Sequence, residues 1–190
     1  MNKKKSIIAG VILALILVVG GVIAYFTDTD STTNEFTLGN VSIDLQEPSW
    51  VANNALDLMP GDTVAKDPQI ENTGSTGAYM FLKVTEPCYN NQTVFDFTTN
   101  SGWTAIGTAR SCSGSTAETV YGYGTASTMT EVAANGTTAT LFNSVTLKST
   151  LDDAAVQALS SGNVEIVVDA YGIQADNVTG TPAQIFANFS

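Results

Sequence analysis

Strict alternation of apolar and polar side chains, repeated in several separate segments, most limits what this chain can become. A strand turns successive side chains to opposite faces, so a period of two marks a half-buried strand. In FTLGNVSIDL, Val41, Ile43 and Leu45 share one face while Ser42 and Asp44 take the other. In AYMFLKVTE, Met80, Leu82 and Val84 oppose Tyr79, Phe81 and Lys83. Leu141, Val145 and Leu147 align in TLFNSVTL, and Val164, Ile166, Val168 and Ala170 align in VEIVVDAYGI. TVAKDPQIE also reads as extended, with Pro68 marking an edge or a bulge. ENTG, followed by Ser75 to Gly77, reads as a turn into AYMFLKV. ETVYGYG and WTAIGT add strands, and the total of seven or eight suits an all-β, two-sheet sandwich.

One helix interrupts this pattern. Thr150 is placed to cap LDDAAVQALS, with Asp152 and Asp153 in the first turn, where the helix dipole favours negative charge. Leu151, Ala155 and Leu159 fall on one side, which predicts a short structural helix lying over a sheet edge.

Charge narrows the function classes. Lys3, Lys4 and Lys5 precede Ala24, and beyond it Lys66, Lys83, Arg110 and Lys148 face all 18 carboxylates, so the body carries 4 − 18 = −14. Such a body repels nucleic acid and anionic lipid, since binding either needs basic residues to displace counterions. The chain contains no histidine, which removes the usual neutral-pH base and the commonest zinc ligand.

The amino terminus reads as an export signal. MNKKK is a basic start, and residues 6–26 are uncharged, long enough to span a bilayer if retained. Val22 and Ala24 stand at the −3 and −1 positions of a cut before Tyr25, and cleavage there is the expectation over a retained anchor. The domain plan is therefore a signal peptide at 1–24, a linker or donor segment at 25–37 and a β-sandwich at 38–190. The only membrane contact expected is through the uncleaved signal peptide, and the product is expected outside the cell.

Cys88 and Cys112 are the only cysteines, and an even pair in an exported chain suggests a disulfide. Sequons stand at Asn40, Asn91, Asn135, Asn177 and Asn188, candidates for glycosylation after export. Trp50, Trp103, Tyr121 and Tyr123 raise a sugar-stacking platform as an alternative, although core and cross-strand packing explains them better.

AYFTDTDSTTNEFTLGNVSIDL, PGDTVAKDPQIENTGSTGAYMFLKV, TLFNSVTL and IVVDAYGIQADN together resemble the camelysin/TasA family of exported proteins. The interval from Cys88 to Cys112 does not match the family pattern. The resemblance implies a jelly-roll-like sandwich at the cell surface, signal cleavage by a SipW-type signal peptidase, and assembly into biofilm matrix fibres with copies of itself and other matrix proteins. It also implies that the segment after the signal cut leaves its own subunit and adds as a strand to a neighbour. The matching positions begin at Tyr25, with Phe26 and Phe36 as anchors ten residues apart. Such an exchange is physically sound, because an open sheet edge offers unpaired N–H and C=O groups. Cleavage would act as its switch, freeing a segment otherwise tied to the membrane helix.

The family also carries a metallopeptidase label. HExxH, two imidazoles one helical turn apart with a glutamate base, cannot be built from a chain without histidine, and no catalytic residue is assigned. DTDSTT begins like a calcium loop at Asp28 and Asp30, but lacks glycine at the sixth position and has Gly39 at the twelfth, so a solvated acidic linker is the expectation. No cofactor is expected beyond that weak calcium candidate. The alternative to a fibre subunit is a secreted monomeric module that binds glycan or protein.

Overall fold

A computed structural model describes residues 39–160 and 164–189 of the chain, with the side chain of Ser160 excluded. The strands in chain order are β1 (Ile43–Gln46), β2 (Thr63–Ala65), β3 (Gln69–Asn72), β4 (Ala78–Tyr89), β5 (Gln92–Thr93) and β6 (Phe95–Asp96). They are followed by β7 (Trp103–Ile106), β8 (Cys112–Ser113), β9 (Thr116–Tyr123), β10 (Ser144–Leu147) and β11 (Val167–Gln174). Two short helices, α1 (Asp153–Ser160) and α2 (Pro182–Phe186), complete the set, with 3-10 turns at Ala52–Ala55 and Ala187–Phe189.

The larger sheet runs β11-β4-β9-β7, all antiparallel, with β5 paired to β4 and β8 paired to β9. Facing it are β1-β3 and β2-β10-β6. These two smaller pieces form one curved layer, because the backbone ladder continues between them. Lys66 N–H donates to Asn143 O, Leu141 N–H to Pro68 O, Thr138 N–H to Ile70 O and Asn72 N–H to Gly136 O. Pro68 donates nothing and sits in the break where β2 gives way to β3.

Alternation decides what each face buries. Met80, Leu82 and Val84 of β4 point between the layers, with Val168 and Ala170 of β11 and Tyr121 of β9. Val64, Ile70, Val145 and Leu147 meet them from the other layer. The opposite faces of the same strands turn outward, yet they are not bare. Phe81 is fully buried by a second cluster with Met129 and Ile185, into which Tyr171, Phe186 and Phe189 pack. The chain's last residues thus lie on the outer face of the large sheet, with Phe81 to Phe186 ring centroids at 5.3 Å and Tyr171 to Phe189 also at 5.3 Å.

The helices differ from expectation in two ways. Asp152, rather than Thr150, caps α1: its Oδ1 accepts from Ala155 N–H at 2.8 Å. A carboxylate immediately ahead of the helix satisfies a free N–H and interacts favourably with the dipole as well. The expectation of a single helix omits α2. Its start carries a reciprocal capping box, in which Thr181 Oγ1 accepts from Gln184 N–H and Gln184 Oε1 accepts from Thr181 N–H. Pro182 at the first position supplies a fixed φ suited to the helix. Thr-Pro-Ala-Gln is thus a start signal legible in the sequence.

Two side chains cross-link the layers. Trp103 Nε1 donates to Ala139 O at 2.8 Å, and the ring meets its β9 cross-strand neighbour Tyr123 edge-on at 5.1 Å. Arg110 makes the second link, from the loop after β7 to Glu86 of β4 and to the carbonyl of Phe95 in β6.

Candidate functional site

Among the described residues, one edge of the large sheet lies along β11 and the other along β7. The eight residues of β11 pair on one side with β4, from Val167 opposite Thr85 to Gln174 opposite Ala78. Among the described residues no strand pairs with its other side, nor with the outer side of β1. Backbone N–H and C=O groups along such an edge are donors and acceptors for an added strand. Ionic protection of this sheet lies on its face, where Lys83 Nζ stands 3.2 Å from Asp169 Oδ2 across the β4–β11 pair. A hydrogen bond to that carboxylate holds the Lys83 ammonium above its ordinary pKa.

β1 comes close to β11 because Gly172 has no side chain. A Cβ at Gly172 would stand 2.7 Å from Ile43 Cγ2 and 3.3 Å from Val41 Cγ1, closer than carbon atoms pack. The glycine therefore sets the approach of the two layers beside the β11 edge.

An apolar groove leads to the start of β11. Two adjoining cavities, about 450 Å³ and about 320 Å³, share Ala55, Leu58, Phe95, Val164 and Glu165 in their walls. Leu151, Val156 and Leu159 of the α1 region close one end, so the predicted packing side of that helix does face the sandwich. At the other end the segment between β1 and β2 is unusually apolar for its exposure: Trp50, Val51, Leu56 and Met59 all face solvent. Trp50 is held by Lys66, whose ammonium lies 4.9 Å from the ring centroid and 2.7 Å from Glu47 Oε1. The groove thus joins an exposed apolar rim to buried Val64 and Phe95.

The residues singled out in the sequence fall into three groups. Val22, Ala24, Tyr25, Phe26, Asp28, Asp30 and Phe36 lie outside the described residues. Cys88 and Cys112 are joined in a disulfide with Cα atoms 6.1 Å apart. Asn40, Asn91, Asn135, Asn177 and Asn188 are all exposed, although the Asn40 carboxamide accepts from Ser75 and that of Asn188 donates to Ile185 O.

The aromatic set does not form a platform. Trp103 and Tyr121 are buried in the main core, and Tyr123 packs against it. Burial raises the Tyr121 phenol above its ordinary pKa despite the opposing field of Arg110. Only Trp50 of the four is exposed, and it faces the groove. Leu45 is the exception to the alternation of β1: it stands at the solvent rim, although Val41 and Ile43 pack inward.

Among the described residues no group of three or more His, Cys, Asp or Glu side chains stands together as a metal set. No helix among them is long and apolar enough to cross a membrane.

Comparison with known proteins places the amino-terminal half. Residues 2–95 match the family model described as camelysin metallo-endopeptidase. A protein of Bacillus subtilis (strain 168) named "Major biofilm matrix component" is 41% identical over 76 residues, covering 40% of this chain and 29% of the relative. The family match ends at Phe95, inside the Cys88 to Cys112 interval where the sequence pattern departs from the family. Through this amino-terminal half, the chain is similar to the camelysin family and to the biofilm matrix component, and it spans less than a third of that relative's length.

Proposed function

We propose that the chain is an exported matrix protein that polymerises by strand exchange. Its segment 25–37, released by signal cleavage after Ala24, pairs with a sheet edge of the next copy. The observation that carries this reading is the outer side of β11, eight residues long and without a strand partner among the described residues. An incoming strand there satisfies backbone groups and seats alternate side chains. Phe26 and Phe36, spaced for one face of a strand, supply the apolar anchors. The relative named as a biofilm matrix component supports the extracellular, structural role. Partners in this reading are further copies of the chain and other matrix proteins, with a SipW-type peptidase acting during export.

Hydrolysis is the weaker reading, despite the peptidase name of the family. The chain has no histidine with which to build HExxH, and the functional feature at hand is a strand edge. A monomeric binding module is favoured by one observation, the Trp50-rimmed groove.

One paired experiment separates these readings. Purified residues 25–190 should form filaments in negative-stain microscopy, and deletion of residues 25–36 should abolish them while leaving a folded sandwich. A protein that stays monomeric at high concentration, or filaments that survive the deletion, would overturn the polymer reading. Chelator-sensitive cleavage of casein by the pure protein would restore the enzyme.

A further inference from the structure

Apart from Arg110 N–H, which donates to Thr119 Oγ1 at 2.7 Å, the loop between β7 and β8 is tied down at two points, the side chains of Arg110 and Cys112. Gly107, Thr108, Ala109 and Ser111 are exposed, as are Ser113, Gly114 and Ser115 beyond it, while Arg110 and Cys112 turn inward. No apolar side chain of this stretch belongs to either core cluster. Arg110 itself adopts a left-handed backbone with φ 52°, a conformation that a residue with a Cβ keeps only when its surroundings hold it.

Both ties converge on the same place. Arg110 Nε and Nη2 donate to Glu86 Oε1 and Oε2 at 2.8 and 2.9 Å. Nη2 also donates to the Phe95 carbonyl and to Thr93 Oγ1. The guanidinium lies 4.2 Å from the Phe97 ring centroid. Two residues beyond Arg110, Cys112 is bonded to Cys88, which lies two residues beyond Glu86 on β4. The covalent tie and the ionic tie therefore join the same two segments. The ionic one also reaches β6 in the opposite layer.

We propose that the Cys88–Cys112 disulfide is a redox-operated latch on this inter-layer clamp. Bonded, it holds Arg110 against buried Glu86 and Phe95. Reduced, it frees the loop while the rest of the sandwich stays folded. Both cysteines are partly exposed, so a small dithiol reaches the bond. The dithiol gives up two electrons and two protons, closes to its own cyclic disulfide, and leaves two thiols on the chain. Selective opening follows from the loop's lack of apolar anchors: without the bond, the Arg110 contacts, including its N–H to Thr119 Oγ1, the short β8 pairing and the Cys88 N–H to Ser115 O bond are what oppose the loop's conformational freedom. The clamp is then complete only in an oxidising compartment. This inference does not depend on polymerisation.

Hydrogen exchange on the full chain in mild detergent, with and without dithiothreitol, tests it. Reduction should speed exchange on the order of a hundredfold for amides in 107–117 and at Cys88 and Phe95, the scale by which closing a loop of this length shifts opening in the chain-entropy model. The β11–β4 and β10–β2 ladders should not change. In oxidised R110A, the same amides should exchange fast, and reduction should add much less than in the parent chain. If R110A does not fold, the pair E86Q and R110Q, which removes both charges, takes its place. Equal effects in all strands, no effect of reduction, or independent multiplication of the two effects would each overturn the latch.

Discussion

Glu86 and Arg110 meet as a two-point ion pair across 24 residues of chain, with Nε to Oε1 at 2.8 Å, on a carboxylate that is almost wholly buried. The guanidinium carries the opposing costs in one group. Burial, the largest single effect, works against its charge, yet Glu86 together with Tyr121 and Asp96 holds its pKa above the ordinary arginine value. The pair sits where β4, β6 and the loop after β7 converge, so it acts on both layers.

Removing one partner should be far worse than removing both. Arg110→Ala leaves the Glu86 carboxylate buried without its counterion and should cost about 3–5 kcal/mol in urea unfolding. Replacing both by leucine should cost much less, since no buried charge remains. A single-site loss no larger than that of an ordinary surface substitution would refute this account of the clamp.

Gly172 should tolerate no side chain. Gly172→Ala places a methyl group 2.7 Å from Ile43 Cγ2, so β1 or β11 must shift. A loss of about 1–3 kcal/mol is expected, with Ile43→Ala recovering part of it in the double variant. Additive losses in the two variants would show that the contact does not govern the approach.

Alkaline pH should weaken the fold through Tyr121. Its folded pKa lies above the ordinary value of 10.0, chiefly through burial. The unfolded chain therefore releases this proton first. The contribution is complete below about pH 10 and is lost as pH rises through the folded pKa, with a slope approaching about 1.4 kcal/mol per pH unit. Urea midpoints measured across that range should fall, and Tyr121→Phe should flatten the decline. A late tyrosinate absorbance step, missing in that variant, would identify the group.

The outer face of the large sheet should depend on the last residues of the chain. Phe186 packs on Phe81 at 5.3 Å and on Tyr171 at 5.3 Å, and it is only partly exposed. Phe186→Ala should cost about 2–3 kcal/mol, below the range for a fully buried ring. Deleting residues 181–190 should add binding of an apolar dye, because Phe81 would then face solvent. Unchanged dye binding after deletion would mean that Phe81 is covered by something else.

Local geometry made part of this protein legible in one dimension. Alternation placed Met80, Leu82 and Val84 on one face and Phe81 on the other, because a strand's side-chain period does not depend on its neighbours. The turn at Asn72 to Gly77 was equally local: Asn72 donates to the Thr76 carbonyl and accepts from Gly74 N–H. Pro68 at the break between β2 and β3 and the cysteine pair were readable for the same reason, the one through a missing donor and the other through simple counting. The cap of α1 is less legible, because Thr150 and Asp152, two residues apart, both offer an oxygen and only the folded chain selects Asp152.

Long-range pairing made the rest. Arg110 is the only arginine, yet nothing near it in sequence points to Glu86, 24 residues away. Trp50 reads like Trp103, but one lines an open groove and the other a closed core, a difference set by which strands lie above each. That one side of β11 has no strand partner among the described residues is likewise a property of sheet order, since the same alternating residues would suit a central strand. Residue type and period therefore determined which faces are apolar in this chain, while the tertiary structure alone decided which of those faces meet, because contacts between distant segments depend on the path of the whole backbone rather than on any local preference.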